Sequence, residues 1–326
     1  MSPETKKAIK KVFFPLYWIY RSQQVAYAKK HPMRLADKTY YKKLGKHIDW
    51  NNPKDINEKI QWLKFHTDQR KWAFFADKYA VRNYIKEKGL ENLLTKIYGK
   101  WDSPEEVIDA WDSLPDEFVL KCNTGSNLML IVSKEKGGKK AVDKRMLYKT
   151  LKKWFKEKDT YIINTEFHYQ FIHNCVFAEE LIKDNSIKDF SRSLIDYKIW
   201  CFNGVPYGCF LCYDRIINTS HHYFDFYDLQ WNERTDLMAD KSKKHYVPKP
   251  ENWELMLKYA SILSQGFPQA RVDFYNLNGK IIFGEITLTS FGGFITYYSD
   301  ELLLALGNEV KLDLSAPPNE FYEHIK

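Results

Sequence analysis

Asp273 and Glu285 stand twelve residues apart on two β-rich stretches, Arg271-Val-Asp-Phe-Tyr and Lys280-Ile-Ile-Phe-Gly-Glu285, which Asn278-Gly279 would fold into a hairpin. Such a hairpin brings both carboxylates to one point beside the sheet. Paired hard oxygen ligands suit magnesium, which keeps several waters and completes its shell with substrate phosphates. Two like charges this close also need a cation between them. Arg271, two residues before Asp273, and Thr287, two after Glu285, share those faces. The hydroxyl could add a neutral oxygen, and the guanidinium could steady charge that develops in phosphoryl or acyl transfer. An Asp and a Glu on a hairpin also describe a solvated sheet edge, so the pair needs company before it means chemistry.

Lys121 ends the apolar stretch Phe118-Val-Leu and precedes Asn123-Thr124-Gly125-Ser126. A lysine beside a small, donor-rich loop can cover anionic phosphates, although the GxxxxGK[ST] pattern of a Walker loop is missing. Glu179-Glu180-Leu181 follows Val176-Phe-Ala; exposed backbone there could read an adenine edge while an acidic side chain binds nearby. Cys209-Phe-Leu-Cys212 has CxxC spacing but no second pair, and His221-His222 would face opposite sides of a strand. Neither makes a convincing metal site.

The elements that must position these groups follow from local signals. Asp55-Ile-Asn-Glu58 and Ser103-Pro-Glu-Glu106 are helix starts. Phe118 to Lys121 and Leu128 to Val132 form a hairpin around Asn123 to Asn127. Between Ala141 and Lys158, Val142, Met146, Leu147, Leu151, Trp154 and Phe155 trace one helical face. Asn203-Gly204 is a second tight turn, between Tyr197 to Phe202 and Tyr207 to Tyr213. Strands joined by tight turns, with helices between groups of them, predict antiparallel α+β rather than a doubly wound sheet.

Of 326 residues, 44% are hydrophobic and 16% aromatic, enough for an ordinary core and against disorder. The net charge of +8 is local: residues 1–47 hold twelve Lys and Arg against Glu4 and Asp37. Removing these from the chain's 50 basic and 42 acidic residues leaves 38 and 40, so the body is close to neutral and a nucleic-acid partner is not expected. The run from Val12 to Tyr20, flanked by Lys10, Lys11 and Arg21, is too short to span a bilayer and lacks a signal-peptide cleavage site. Residues 6–30 could instead lie on an anionic membrane surface, or fold back onto the core. Five cysteines without a disulfide framework fit a reducing, cytoplasmic setting, at most peripheral to the inner membrane face.

The order of these parts is recognisable. Ala-Asp-Lys78-Tyr, Phe-Val-Leu-Lys121 with its loop, Phe-Ala-Glu179-Glu-Leu-Ile, Asp196-Tyr-Lys-Ile-Trp-Cys-Phe-Asn-Gly, Arg271-Val-Asp-Phe-Tyr and Phe-Gly-Glu285-Ile-Thr resemble the ATP-grasp superfamily. The closest likeness is to its TupA-like branch, associated with teichuronopeptide and other bacterial polysaccharide biosynthesis. The likeness runs from about Asn57 to Phe294, and residues 1–50 carry none of it. It implies an α+β ATP-grasp fold with ATP between two antiparallel-sheet subdomains: a basic helical arm over 1–50, a helical subdomain over 51–116, a lid over 117–182 and a C-terminal subdomain over 183–326.

By the same resemblance Lys78 and Lys121 hold ATP phosphates, residues 123–126 close over them, and Glu179 to Leu181 receive adenine. Asp196 binds ribose, Lys198 touches phosphate or acceptor, Asp273 and Glu285 ligate Mg2+, and Arg271 stabilises the reacting centre. Many ATP-grasp enzymes carry Glu-x-Asn where this chain has Glu285-Ile-Thr287, so as the third metal ligand Thr287 would offer a hydroxyl in place of the amide oxygen. The implied activity is a carboxylate-amine ligase joining an amino acid or amine to a uronic acid of a surface polysaccharide or its nucleotide- or lipid-linked precursor. A sugar kinase or a glycosyltransferase-like protein is the alternative.

Overall fold

A computed structural model describes residues 14–125, 128–156, 164–184, 187, 191–216, 222–241 and 246–319. Two helices open it, α1 (Phe14–Lys30) and α2 (Pro32–Leu44). Ala28, Ala36 and Tyr40 are wholly buried and pack with Phe65, Phe167 and Phe294 of the body. From Ala28 onward the N-terminal segment is therefore docked rather than a free arm, and its lysines lie on the solvent side.

Helix α3 (Ile56–His66) starts where Asp55 accepts the Glu58 N–H at 2.9 Å, while Glu58 reaches back to the Lys54 N–H at 2.8 Å. Helices α4 (Gln69–Ala76) and α5 (Val81–Glu87) follow, then strand β1 (Ile97–Trp101) and helix α6 (Pro104–Ala110). The stretch 51–116 is thus not all helical. Its strand β1 pairs antiparallel with β4 (Val176–Glu179), which also pairs with β2 (Phe118–Cys122), itself paired with β3 (Met129–Val132). This first sheet runs β1-β4-β2-β3. One face is covered by α6 and α7 (Lys144–Lys156), whose Val107, Leu147, Leu151 and Trp154 bury against Phe118, Leu120, Val176 and Ala178.

The second sheet is larger: β5 (Asp196–Phe202), β6 (Val205–Tyr213), β7 (Tyr223–Tyr227), β8 (Ala270–Leu277) and β9 (Lys280–Thr287), in the order β7-β6-β5-β8-β9. Every pairing is antiparallel. Both Asn-Gly turns have positive φ at both residues, the mirror-image turn that suits strand twist. Ile199, Cys201, Val272 and Phe274 point from β5 and β8 into the main core, where α8 (Trp253–Leu263) contributes Trp253, Met256 and Ala260, and α9 (Asp300–Glu309) contributes Leu302 and Leu306. Burying each such side chain stabilises by about 1.5–3 kcal/mol. The opposite face of β5 and β8 carries Asp196, Lys198, Trp200, Arg271 and Asp273.

Candidate functional site

Strand register aligns the charged residues. Lys198 lies opposite Asp273, and Asp273 opposite Glu285, so the three form one row across β5, β8 and β9. In the next row Arg271 faces Thr287. This alignment depends on a bulge. Leu277 to Phe274 pair with Lys280 to Phe283 in regular steps, and continuing them would set Glu285 opposite Val272, on the core side. The register shifts between Asp273 and Phe274, Gly284 becomes the extra residue, and Glu285 turns to face Asp273. A Cβ on Gly284 would come within 2.9 Å of the Asp273 carbonyl oxygen, so the close approach requires glycine.

Arg271 donates to Asp273 through Nε at 2.8 Å and Nη2 at 2.9 Å, to Ser290 Oγ at 3.0 Å, and to Thr287 Oγ1 at 3.3 Å. Its Nη2 stands 3.4 Å from Glu285. Lys198 Nζ donates to Asp273 Oδ2 at 2.5 Å and stands 3.7 Å from Asp196. Asp273 is 3% exposed, whereas Glu285 is 40% exposed and takes a hydrogen bond from Thr287 at 3.2 Å. Burial by itself would raise the Glu285 pKa, but Lys198, Lys78 and Arg271 outweigh it and hold the carboxyl down at about 2. It is ionised throughout the physiological range. The Arg271 guanidinium, despite its burial, is held charged by Asp273 and Glu285.

Residues 123–125 connect to this row through Lys78, whose Nζ donates to Gly125 O and whose charge is favoured by Glu285. Asp77, between α4 and α5, accepts the Tyr79 and Ala80 N–H groups at 2.8 and 3.0 Å and the Asn123 amide at 2.8 Å. Asn123 also accepts the Cys175 N–H at 2.9 Å, and Thr124 donates to Asn174 at 3.4 Å. These two buried side chains brace the loop, and the Asn123 backbone is tied as well: its N–H donates to Cys175 O at 3.0 Å and its carbonyl accepts from the Lys78 N–H at 2.9 Å. Gly125 adopts φ 75° and its carbonyl accepts from Lys78 Nζ; Ser126 lies outside the described residues. Burial lowers the Lys78 pKa, with Glu285 opposing the shift and Lys121 adding to it. Lys78 therefore senses the charged groups of both sheets.

Lys121 pairs with Glu179, which also accepts from Thr95 at 2.6 Å and lies 3.7 Å from Arg82. The Glu180 N–H donates to Lys96 O at 2.9 Å and its side chain is exposed; Leu181 is half-buried. Asp196 is 7% exposed and pairs with Arg215. Burial pushes the Tyr275 phenol up to about 12, opposed by Arg215 and reinforced by Glu285, Asp273 and Glu179, so acids of both sheets converge on it.

Sequence reasoning missed Asp77, Arg215, Gly284, Tyr275 and Ser290. A glycine inside a strand pattern was the available signal for the bulge; Arg215 had none. Among the described residues no three His, Cys, Asp or Glu side chains form a closed metal cage. Two opposed carboxylates with an adjacent hydroxyl nonetheless fit an ion such as magnesium, whose remaining shell comes from water and phosphate. Asp273 would have to exchange its contact with Lys198 to join Glu285 in that task.

Comparison with known proteins then decides the family. The model of the TupA-like ATP-grasp family matches residues 58–311. The chain belongs to that family. Among solved structures, the TupA-like chain is similar to D-alanine–D-alanine ligase from Bacillus anthracis complexed with ATP, at 14% identity and TM-score 0.37, covering 66% of this chain and 55% of that one. It is similar to the ATP-grasp ligase PsnB complexed with minimal precursor, Mg and ADP, at 11% identity and TM-score 0.37, covering 78% and 66%. D-Alanine–D-alanine ligase from Helicobacter pylori gives 14% identity, TM-score 0.41 and coverage of 81% and 68%. The TupA-like chain spans about half to two thirds of the length of the first of these. No curated protein matches it. Membership fits the expected α+β fold with its two antiparallel sheets. No helix among the described residues is long and apolar enough to cross a membrane.

Proposed function

We propose that the protein is an ATP-dependent carboxylate-amine ligase. The observation that carries this reading is the row Lys198–Asp273–Glu285 with Arg271 behind it, connected through Lys78 to the braced loop 123–125. In this reading Lys78, Lys121 and the loop backbone receive the ATP phosphates. The peptide between Glu180 and Leu181 meets adenine, since the Glu180 N–H is already committed to Lys96, and Asp196 meets ribose. Asp273 and Glu285, with Thr287 beside them, would hold Mg2+, which when bound neutralises phosphate charge.

A substrate carboxylate oxygen attacks the γ-phosphorus of ATP, ADP leaves, and an acyl phosphate forms. An amine then attacks the acyl carbon; orthophosphate leaves and the amine surrenders a proton as the amide forms. Arg271 and Lys198 orient the carboxylate and balance charge on the transferring group, work that is mainly positioning and electrostatics. Family membership supports a uronic acid of a surface polysaccharide, or of its nucleotide- or lipid-linked precursor, as the carboxylate and an amino acid as a natural amine. The N-terminal helix supports a cytoplasmic protein resting on an anionic membrane face: Lys29 and Lys30 close α1, and Ile19, Tyr20 and Tyr27 are exposed.

The test is incubation with Mg-ATP, a panel of uronic acids and hydroxylamine. Hydroxamate with stoichiometric orthophosphate is expected. A stable phosphorylated sugar without orthophosphate would make the protein a kinase, and no substrate-dependent ATP consumption with any carboxylate would sink the ligase reading.

A further inference from the structure

The face that carries the charged row continues into an aromatic wall. On β6, Phe210 lies opposite Lys198, and on β7 Phe226 lies opposite Phe210, so the charged row passes into rings. One step along, Asp196 lies opposite Cys212 and Cys212 opposite Phe224. The segment after β9 adds Phe291 and Tyr297. Ring centroids are 4.5 Å apart for Phe224 and Tyr297, 5.0 Å for Phe291 and Tyr297, and 6.3 Å for Phe224 and Phe291. The Arg271 guanidinium lies 5.8 Å from the Phe291 ring centre. Phe291 and Tyr297 are 37% and 36% exposed, which is unusual for clustered rings beside a buried ion pair.

The segment is also held in a strained form. Phe291, Gly292 and Gly293 all have positive φ, at 49°, 67° and 75°. A bulky residue there is costly and persists only where its surroundings enforce it, which happens most often at binding sites. One stripe of α3 enforces it: Asn57 exchanges two hydrogen bonds with the Ile295 backbone at 2.7 and 2.9 Å, Gln61 donates to the Gly292 and Gly293 carbonyls at 2.9 and 3.0 Å, and Lys64 donates to Gly292 O at 2.6 Å. The same segment supplies Ser290, which accepts from Arg271. The clamp thus fixes the guanidinium and the aromatic wall together.

We propose that Phe291, Tyr297 and Phe224 form the acceptor platform, on which a pyranose ring lies while its carboxylate faces Arg271 and Lys198. The inference rests on the ligase reading and names the residues that would hold the acceptor's sugar ring at that same site. A saturated sugar ring presents apolar C–H faces and polar edges, which suits half-exposed rings flanked by His222, 4.5 Å from Phe224, with the buried Arg271 guanidinium 5.8 Å from the Phe291 ring centre. The rings tilt against one another at 55° to 76°, so no parallel slot is left for a flat aromatic ligand.

Saturation-transfer NMR on the full chain with Mg-ATP, using glucuronic acid and methyl glucoside as probes, tests it. Transfer to the ring protons is expected for the natural protein and for Phe291→Tyr, with at least a fivefold loss in the pair Phe291→Gly, Tyr297→Ser. Mg-ATP affinity, measured separately by calorimetry, should stay within about twofold in all three, which also reports that the variants are folded. Equal transfer in the double variant, or no transfer in the natural protein, would overturn the platform. If Mg-ATP fails to bind, the ligase reading falls, while the sugar signal still decides whether the wall takes a pyranose.

Discussion

On the second sheet, Asp273 is 3% exposed and takes hydrogen bonds from Arg271 and Lys198; on the first, Lys121 is 29% exposed and pairs with the buried Glu179, which Thr95 and Arg82 also hold. The first arrangement is locked by mutual neutralisation and backed by the main core, so removing one member leaves a buried charge uncompensated. The second is a charged group held near a partner it can leave when phosphate arrives. In the proposed ligase, the contrast would divide the work: chemistry on the five-stranded sheet and phosphate capture on the four-stranded one.

Removing Asp273 breaks the locked side most severely. Asp273→Ala should slow substrate-dependent phosphate release by about a hundred- to a thousandfold, the scale of one lost electrostatic stabiliser. It should also destabilise by about 3–5 kcal/mol in a denaturant melt, because Arg271 stays buried without its partner. Activity loss with unchanged stability would mean the pair is not locked.

Gly284→Ala attacks the same side through the backbone. With the Asp273 carbonyl 2.9 Å from the new Cβ, the bulge must shift and Glu285 move, and a displacement of this order costs about a hundredfold in kcat. Steady-state kinetics that match the natural enzyme would show that the bulge does not aim Glu285.

Lys121→Ala sharpens the other side. Losing one charge-assisted contact, worth about 1.5–3 kcal/mol, should raise KM for ATP by about ten- to a hundredfold and leave the melt nearly unchanged. A large stability loss would make Lys121 as structural as Asp273.

These effects turn on details of unequal legibility in the sequence. Asp273, Arg271 and Glu285 were readable because strand alternation and the Asn-Gly turn limit where they point. Regular pairing predicts the wrong partner for Glu285, however, and only the glycine at 284 hints at the bulge that corrects it. Asn123 and Thr124 were legible as a loop but not as braces, since that depends on Asp77, Cys175 and Asn174, which lie far away in sequence. Met146, on the expected apolar helix face, is 57% exposed, because the helix meets the small sheet over a narrower stripe. The edge strand β1 was hidden by its half-buried pattern.

A further effect, read through pH alone, concerns the clamp behind the site. Burial lowers the Lys64 pKa to about 8, with Glu166 opposing and Lys43 adding. A lysine whose folded pKa lies below its unfolded value costs stability when charged. That cost is fully present below pH 8 and fades as pH rises toward 10.5. Relative to Lys64→Met, the natural protein should therefore gain roughly 3 kcal/mol between pH 7 and 10.5. Denaturant melts at both pH values measure it, and a pH-independent difference would show that the fold leaves the Lys64 pKa at its ordinary value.

Calorimetric titration of ATP with and without magnesium, in the natural protein and in Glu285→Gln, tests the central claim most directly. Magnesium should tighten ATP binding at least tenfold in the natural protein and by less than about twofold in the variant, with magnesium-free affinities alike. Equal enhancement in both proteins would contradict the assignment of the cation to the Asp273–Glu285 row.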